Sequence, residues 1–241
     1  MSSARSHEPR MVSRILQGMD MENFTKAEWE KFLVPYRHAA AEIAQKLNIT
    51  SKTMASVGMH SPIERVEHRI KRVASILAKA ARKKIPLINL SDQMQDIAGI
   101  RVICRFVDDV PRVAELLKQR VGLDFTWVEE RDYVNQMKES GYRGYHCIVK
   151  YKTVTPLGLQ EVLVEIQLRT PAMDQWAKAE HTLRYKYNFD IPEHLLADLI
   201  KSADVAFAQD EKMNKIRQEI LMAEQYKNYV EIEELRENGE R

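Results

Sequence analysis

The chain has 241 residues, of which 44% are hydrophobic and 30% are charged, and its formal net charge is +2. This composition is that of a soluble globular protein, long enough for one sizeable core with helical extensions. The near balance of charges excludes a polycation, so any anion-binding site must be local.

The N-terminal segment 1–24 carries charges throughout, and neither it nor any later segment has the long apolar run of a signal core or membrane span. We therefore expect a cytoplasmic protein with no membrane association, whose residues 1–24 form a flexible extension. The two cysteines, Cys104 and Cys147, alternate onto the inward face of predicted strands and are expected to be buried thiols.

Two helices are predicted before any strand. The first starts at Thr25, a suitable N-cap, and runs to about Leu47. The second runs from Ser61 to Lys84, because SPIE has the pattern of a capping box and apolar residues then recur every three or four positions.

The middle of the chain predicts a small sheet. Strands are expected at about 100–107, 124–130, 145–152 and 161–169, and helices at 110–120, 171–187 and 192–237. This order predicts an α+β fold, in which a small mixed β-sheet is flanked by helices. We expect a domain over 25–190 and a C-terminal helical segment over 191–241 that serves oligomerisation.

The last predicted strand carries the strongest chemical signal. Its apolar residues alternate with Glu165, Gln167 and Arg169, which therefore share the opposite face. A second carboxylate, Asp96, stands just before another strand. Since buried carboxylates need a compensating cation, two acids facing one site among many Lys and Arg residues predict a divalent metal and a polyphosphate.

The predicted helix Ser61–Lys84 carries a basic stripe. Its members are Lys71, Ser75, Lys79 and Arg82, with Arg69 and Arg72 beside them. Such a run is often a solvated surface, but this one has hardly any interleaved acid, which favours an anion-binding role.

A glycine-rich aromatic loop, KESGYRGYH, covers Lys138 to His146. Aromatic rings interleaved with cations suit a nucleobase and its phosphates. We assign Tyr142 to stacking and Tyr145 to the core. The sequence has no GxxxxGK[ST], so the phosphates are not held in the P-loop manner.

Four segments together resemble the synthetase domain of the RelA/SpoT family, and in particular its single-domain small alarmone synthetases, over residues 26–220. They are HSPIERVEHRIKRVASIL, MQDIAGIRV, RDYVNQMKESGYRGYH and EVLVEIQLRTPAMDQWAKAEHTLRYKY. The resemblance implies a nucleotidyltransferase-like fold with long C-terminal helices. It also implies transfer of the β,γ-pyrophosphate of ATP to the 3′-hydroxyl of GTP or GDP, giving pppGpp or ppGpp and AMP in the stringent response.

The resemblance also assigns roles to residues. Asp96 and Glu165 would hold Mg²⁺, with Glu165 placed to help deprotonate the attacking hydroxyl and His146 beside the reacting groups. The ATP-binding residues would be Arg69, Lys71, Ser75, Lys79, Arg82 and Arg101, with adenine between the two arginines Arg69 and Arg101. The GTP-binding residues would be Arg131, Lys138, Tyr142, His146 and Gln167.

Some positions depart from the family pattern. Asp174 stands where Asn is usual near the guanine edge, which could change acceptor affinity. Gly144 replaces a more usual Ser, with little effect expected. Arg65 and Glu67 replace apolar or Thr residues of feedback-regulated relatives, which puts activation by pppGpp in doubt. The seven histidines include no His-Asp pair in the sequence, so the hydrolase module of the long relatives, and its activity, are not expected.

Two other functions fit the same residues. One is a nucleotide- or single-stranded-RNA-binding regulator with secondary catalysis, and the other is a nucleotidyltransferase that releases pyrophosphate. The paired acids favour the pyrophosphokinase over the RNA-binding regulator, since a surface that only binds RNA gains nothing from them. The resemblance and the apolar side of the last helix (Val205, Ile216, Ile220) predict a homo-oligomer, with a tetramer favoured.

Overall fold

The computed structural model of the chain describes residues 24–186 and 192–239. These ranges contain six α-helices, five β-strands and one short 3₁₀ turn at Leu87–Asn89. In chain order the elements are α1 Lys26–Ser56, β1 Ile63–Ile70, α2 Val73–Lys83, α3 Leu90–Gln93, β2 Ala98–Cys104, α4 Asp109–Lys118, β3 Phe125–Asp132, β4 Tyr145–Thr155, β5 Gly158–Arg169, α5 Pro171–Lys186 and α6 Glu193–Gly239.

The five strands form one sheet in the order β1-β2-β5-β4-β3. β2 and β5 are parallel, and every other neighbouring pair is antiparallel. The predicted α+β fold with a mixed sheet flanked by helices is confirmed. The parallel pair matters for the site, because it brings Gly99 level with Glu165 and ends both strands at the same edge.

Helix α1 covers one face of the sheet. It starts with the predicted cap, since Thr25 and Glu28 form a capping box. Its buried residues Phe32, Tyr36 and Ile43 belong to the main core, together with the inward-facing apolar residues of the strands. The helix continues to Ser56, beyond the predicted end at Leu47.

The prediction of one helix over Ser61–Lys84 is wrong. Residues Ile63–Ile70 form the edge strand β1, and only Val73–Lys83 is helical. The apolar residues Val66 and Ile70 are four apart, a spacing that fits one helical turn or two repeats of a strand equally well. Pairing with β2 decides between them, because it satisfies the backbone of the segment through long-range hydrogen bonds.

The C-terminal helix α6 is long and largely exposed, but it is anchored at two places. Trp176 of α5 donates from Nε1 to the carbonyl of Leu199, at 3.1 Å. Arg217 lies 3.4 Å from the fully buried carboxylate of Asp109, which His60 also contacts at 3.1 Å. His60 and Asp109 are therefore close in space, which the sequence did not reveal. Since Asp109 also contacts Arg217, the pair belongs to the contacts that anchor α6.

Several smaller expectations concern burial. Cys104 and Cys147 are buried free thiols, and Tyr145 is a core residue, as predicted. Val205, Ile216 and Ile220 of α6 are exposed. Of the extension expected at 1–24, residues 1–23 lie outside the described residues. Among those described, no helix has the length and apolarity that crossing a bilayer would require.

Candidate active site

The face of the sheet opposite α1 carries the predicted polar residues. Along β5, Val164, Ile166 and Leu168 enter the core, so Glu165, Gln167 and Arg169 emerge on the other face. β4 is antiparallel to β5 and places His146 directly opposite Gln167. Strand pairing thus gathers residues that are about twenty positions apart in the chain.

Asp96 lies two residues before β2 and receives two lysines. Lys71 Nζ is 2.7 Å and Lys79 Nζ is 2.6 Å from the same oxygen, Oδ2. The other oxygen, Oδ1, is buried and has no hydrogen-bond partner among residues 24–186 and 192–239. One predicted metal ligand and two predicted phosphate-binding cations therefore form one cluster, although Lys71 lies before α2 rather than on it.

Glu165 is the end point of two hydrogen-bonded arms that both begin at Arg169. In the first arm, Arg169 Nη2 donates to Gln167 Oε1 at 2.8 Å, and Gln167 Nε2 donates to Glu165 Oε2 at 2.7 Å. In the second arm, Arg169 Nε donates to the Tyr142 hydroxyl at 3.0 Å, which lies 2.5 Å from His146 Nε2. His146 Nδ1 then lies 3.4 Å from Glu165 Oε1, which closes the ring.

The direction of these contacts fixes the protons. Arg169 can only donate, and an ionised Glu165 can only accept. A neutral His146 that donates to Glu165 carries its proton on Nδ1, and its bare Nε2 then accepts from the Tyr142 hydroxyl, which also accepts from Arg169. This assignment satisfies every member of the ring with a neutral His146.

Burial and the neighbouring groups favour the protonation states that the ring requires, a neutral His146 and an ionised Glu165. Burial lowers the pKa of His146 below its ordinary value and outweighs the opposing effect of Glu165. Burial alone would raise the pKa of Glu165, but the contacts with His146 and Gln167 lower it overall, against repulsion from Asp96. The pKa of Asp96 is likewise lowered, because its two lysines outweigh its burial.

The predicted ATP side lies along β1, β2 and α2. Arg69 and Arg101 line one shallow cavity together with Gln167. Gly99 of β2 pairs with Arg69 of β1. Because Gly99 has no side chain, the side chain of Arg69 can lie over it. Ser75 and Arg82 are exposed on α2, on the same helical face as Lys79 because they lie four and three residues from it.

The predicted GTP side is an aromatic cluster beside the ring. Lys138 Nζ lies 4.3 Å from the ring centroid of Tyr133 and 5.0 Å from that of Tyr142. Burial lowers the pKa of Lys138, and the positive charge of Arg131 adds to that effect. Arg131 is exposed at the end of β3, in register with His146.

Gly144 has a role that the sequence did not indicate. Its φ of 151° lies in the region that favours glycine, and a Cβ there would lie 2.9 Å from the Tyr142 hydroxyl. That hydroxyl is the far end of a side chain that can shift, so the expectation that Ser at this position would matter little stays a prediction.

Two residues of the site were missed as candidates. Arg169 begins both arms, and its signal was present in the sequence, since it follows Glu165 and Gln167 at the strand period. Tyr133 packs edge-on against His146 with ring centroids 5.4 Å apart. It follows the end of β3 in an irregular segment, where no periodic pattern distinguishes it.

The two carboxylates fit a hard divalent cation. The described residues include no group of three or more His, Cys, Asp or Glu side chains that could hold a metal. The charge of Asp96 opposes the lowering of the Glu165 pKa, and Asp96 Oδ1 has no hydrogen-bond partner within the part of the chain that the structure describes. Two carboxylates, completed by water and phosphate oxygens, are what Mg²⁺ prefers over an all-protein cage.

The chain is similar to known proteins over most of its length. The family described as a region found in RelA/SpoT proteins matches residues 68–190. The GTP pyrophosphokinase YjbM of Bacillus subtilis is 49% identical over 197 residues, which cover 82% of this chain and 92% of YjbM. The crystal structure of small alarmone synthetase 1 from B. subtilis bound to its product pppGpp has a TM-score of 0.75 and 49% identity, covering 80% of this chain and 98% of that one. The same synthetase bound to AMPCPP has a TM-score of 0.72 and 47% identity, covering 82% and 100%.

Proposed function

The chain belongs to the RelA/SpoT family, and from this membership we propose that it is a GTP pyrophosphokinase. It transfers the β,γ-pyrophosphate of ATP to the 3′-hydroxyl of GTP or GDP, and the products are pppGpp or ppGpp and AMP. The observation that carries this proposal is the pair of acids Asp96 and Glu165, set between a lysine cluster and an aromatic cluster on one face of the sheet.

The donor nucleotide would lie over β1, β2 and α2. Arg69 and Arg101 would hold adenine between their guanidinium planes, and Lys71, Ser75, Lys79 and Arg82 would bind the phosphates. An ammonium group has three donors, so Lys71 and Lys79 can contact Asp96 and a phosphate together. This arrangement supports phosphate binding next to a metal-ligating carboxylate.

The acceptor nucleotide would lie over β4 and the aromatic cluster. Guanine would stack on Tyr142, which requires the flexible Lys138 side chain to move from the ring toward the acceptor phosphates, where Arg131 also lies. Gln167 and His146 would hold the acceptor-side pocket in place. The stacking surface is the ring itself, and the contacts with Arg169 and His146 fix the tyrosine hydroxyl.

Asp96 and Glu165 would hold Mg²⁺, which when bound neutralises charge on the transferred pyrophosphoryl group. Each oxygen of Glu165 already accepts one contact from the ring, which orients the carboxylate. The lowered pKa of Glu165 makes it a weaker base, so the geometry supports metal ligation and orientation more than deprotonation of the hydroxyl. We expect alignment of the two nucleotides to supply most of the acceleration.

The protein is proposed to act in the cytoplasm as a homotetramer. Support for assembly comes from α6, where Val205, Ile220 and Tyr226 are 70%, 61% and 71% exposed on a helix with little core left to cover.

The direct test is incubation with labelled ATP, Mg²⁺ and, in turn, GTP, GDP or GMP, followed by chromatography of the products. We expect AMP and a guanosine nucleotide carrying a 3′-pyrophosphate. Release of pyrophosphate in place of AMP would identify a nucleotidyltransferase and refute the proposal, as would the absence of any product.

A further inference from the structure

Asp174 lies in the first turn of α5 and is almost completely buried, with 1% of its surface exposed. Its backbone N–H donates to the carbonyl of Thr170 at 3.0 Å, which fixes the start of the helix against the end of β5. The carboxylate therefore has a defined position between the sheet and α5.

Four cations from four elements surround this carboxylate. Oδ1 lies 3.2 Å from Arg169 Nη1 and 3.2 Å from Arg101 Nε. Oδ2 lies 2.6 Å from Lys178 Nζ and 3.5 Å from Arg65 Nη2. The Arg169 contact is an aligned hydrogen bond, whereas Arg101 Nε makes an ion pair without hydrogen-bond geometry.

The two arginines on Oδ1 belong to opposite sides of the site. Arg101 comes from β2 and lines the cavity on the ATP side. Arg169 comes from the end of β5 and begins both arms that lead to Glu165, through Tyr142 and through Gln167. One oxygen atom thus joins a donor-side arginine to the acceptor-side ring.

Charge and side-chain entropy both affect the contacts of Asp174 with Arg101 and Arg169. An arginine side chain loses considerable rotamer freedom when it is held in one position, and a buried carboxylate compensates that loss with a charge-assisted contact. Glu67 also contacts Arg65 and Arg101, whereas Asp174 contacts Arg101 and Arg169 together. Asparagine in place of Asp174 would offer one neutral carbonyl oxygen instead of the two charged carboxylate oxygens.

We propose that Asp174 is a positioning residue that orders both nucleotide subsites through one carboxylate, by holding Arg101 for the donor and Arg169 for the acceptor. The inference rests on the proposed function, because the two subsites are those of ATP and the guanosine nucleotide. Loss of the Asp174 charge therefore weakens both nucleotides, whereas a residue that met only the guanine edge would affect GTP alone.

The test measures binding of AMPCPP and of GTP separately, by calorimetric titration of the full chain. For Asp174→Ala we expect the Kd of each nucleotide to rise on the order of tenfold, the scale of one lost hydrogen bond to a charged group. Asp174→Asn, which keeps an acceptor oxygen, should raise both values by less. Circular dichroism and thermal unfolding show whether each variant folds. If Asp174→Ala does not fold, the Kd values of Asp174→Asn decide the test.

Two controls separate positioning from a general loss of structure. Lys178→Ala removes an exposed partner of Oδ2 and should leave both Kd values at wild type. Arg101→Lys should weaken AMPCPP alone, and adding Asp174→Asn to it should cost AMPCPP binding less than the two single effects combined. The inference is refuted if a folded Asp174 variant binds both nucleotides normally, if only one Kd changes, or if Lys178→Ala reproduces the effect. A wild-type chain that binds both nucleotides but forms no AMP would refute the proposed function instead, while the Kd comparison would still decide the role of Asp174.

Discussion

The Nδ1 atom of His146 lies 3.4 Å from Oε1 of Glu165, across two antiparallel strands whose register sets His146 opposite Gln167 and Ile148 opposite Glu165. The two residues are therefore diagonal neighbours on one face of the sheet. Burial lowers the pKa of His146, which favours the neutral imidazole, and its Nδ1 faces the carboxylate. Glu165 is consequently held as an oriented anion.

Glu165→Gln should reduce turnover by about 10²–10⁴-fold with the fold intact. The amide keeps the shape of the side chain but removes the charge that a metal and the ring require. Product formation from ATP and GTP is the measurement, with thermal unfolding as the check on the fold. Glu115→Gln, an exposed change on α4, is the matched control and should be fully active. Retained activity in Glu165→Gln would remove this residue from the mechanism.

Asp96→Asn should change the dependence on Mg²⁺ more than the affinity for ATP alone. Without its carboxylate, the half-saturating Mg²⁺ concentration for turnover should rise on the order of tenfold or more. In the absence of metal, ATP should bind as tightly as to wild type or more tightly, because a negative charge beside Lys71 and Lys79 is gone. Asp92→Asn, an exposed change on α3, serves as the control. An unchanged Mg²⁺ titration would contradict the metal assignment.

Tyr142→Ala and Tyr142→Phe should separate the ring from its hydroxyl. Alanine removes the stacking surface, so the acceptor KM should rise roughly 5- to 100-fold, the range expected for one base–aromatic contact. Phenylalanine keeps the surface but breaks the arm from Arg169 to His146, so kcat should fall while the acceptor KM stays close to wild type. Steady-state kinetics with varied GTP at saturating ATP distinguish the two. The stacking role is wrong if the alanine variant keeps the wild-type acceptor KM.

Asp210 should make the stability of the protein depend on pH between about 4 and 7. This residue of α6 accepts a hydrogen bond from Thr170 just before α5, and burial raises its pKa to about 6, above the ordinary value of an aspartate. A carboxyl group with a raised folded-state pKa binds its proton more tightly when folded, so its contribution favours folding as the pH falls toward the unfolded value. That contribution is lost as the pH rises through about 6.

Asp210→Asn should therefore raise the Tm at pH 7.5 and flatten the pH dependence relative to wild type. The effect should be about 1–2 kcal/mol after allowance for the partial exposure of the group. Thermal unfolding at several pH values compares this variant with Asp198→Asn, whose side chain is 62% exposed on the same helix. Equal pH profiles for wild type and Asp210→Asn would show that this carboxyl group does not titrate as its burial requires.

Local patterns predicted the elements whose sequence signal has a single interpretation. Thr25 and Glu28 form a capping box within four residues, and the alternation along β5 separates its core residues from Glu165, Gln167 and Arg169. The segment Ser61–Lys84 was misassigned because its spacing fits both a helix and a strand, and the choice depends on β2, some thirty residues away. Local propensity cannot contain that information.

The sequence by itself determined which residue types face the site, because pleating assigns alternate side chains of β5 to opposite faces whatever the rest of the chain does. The tertiary structure decided which of them meet. The lysines on Asp96, the closed ring from Arg169 to Glu165 and the shared oxygen of Asp174 each join segments that are distant in the chain. Such contacts depend on strand order and register, which are set by the packing of the whole sheet and not by any one segment.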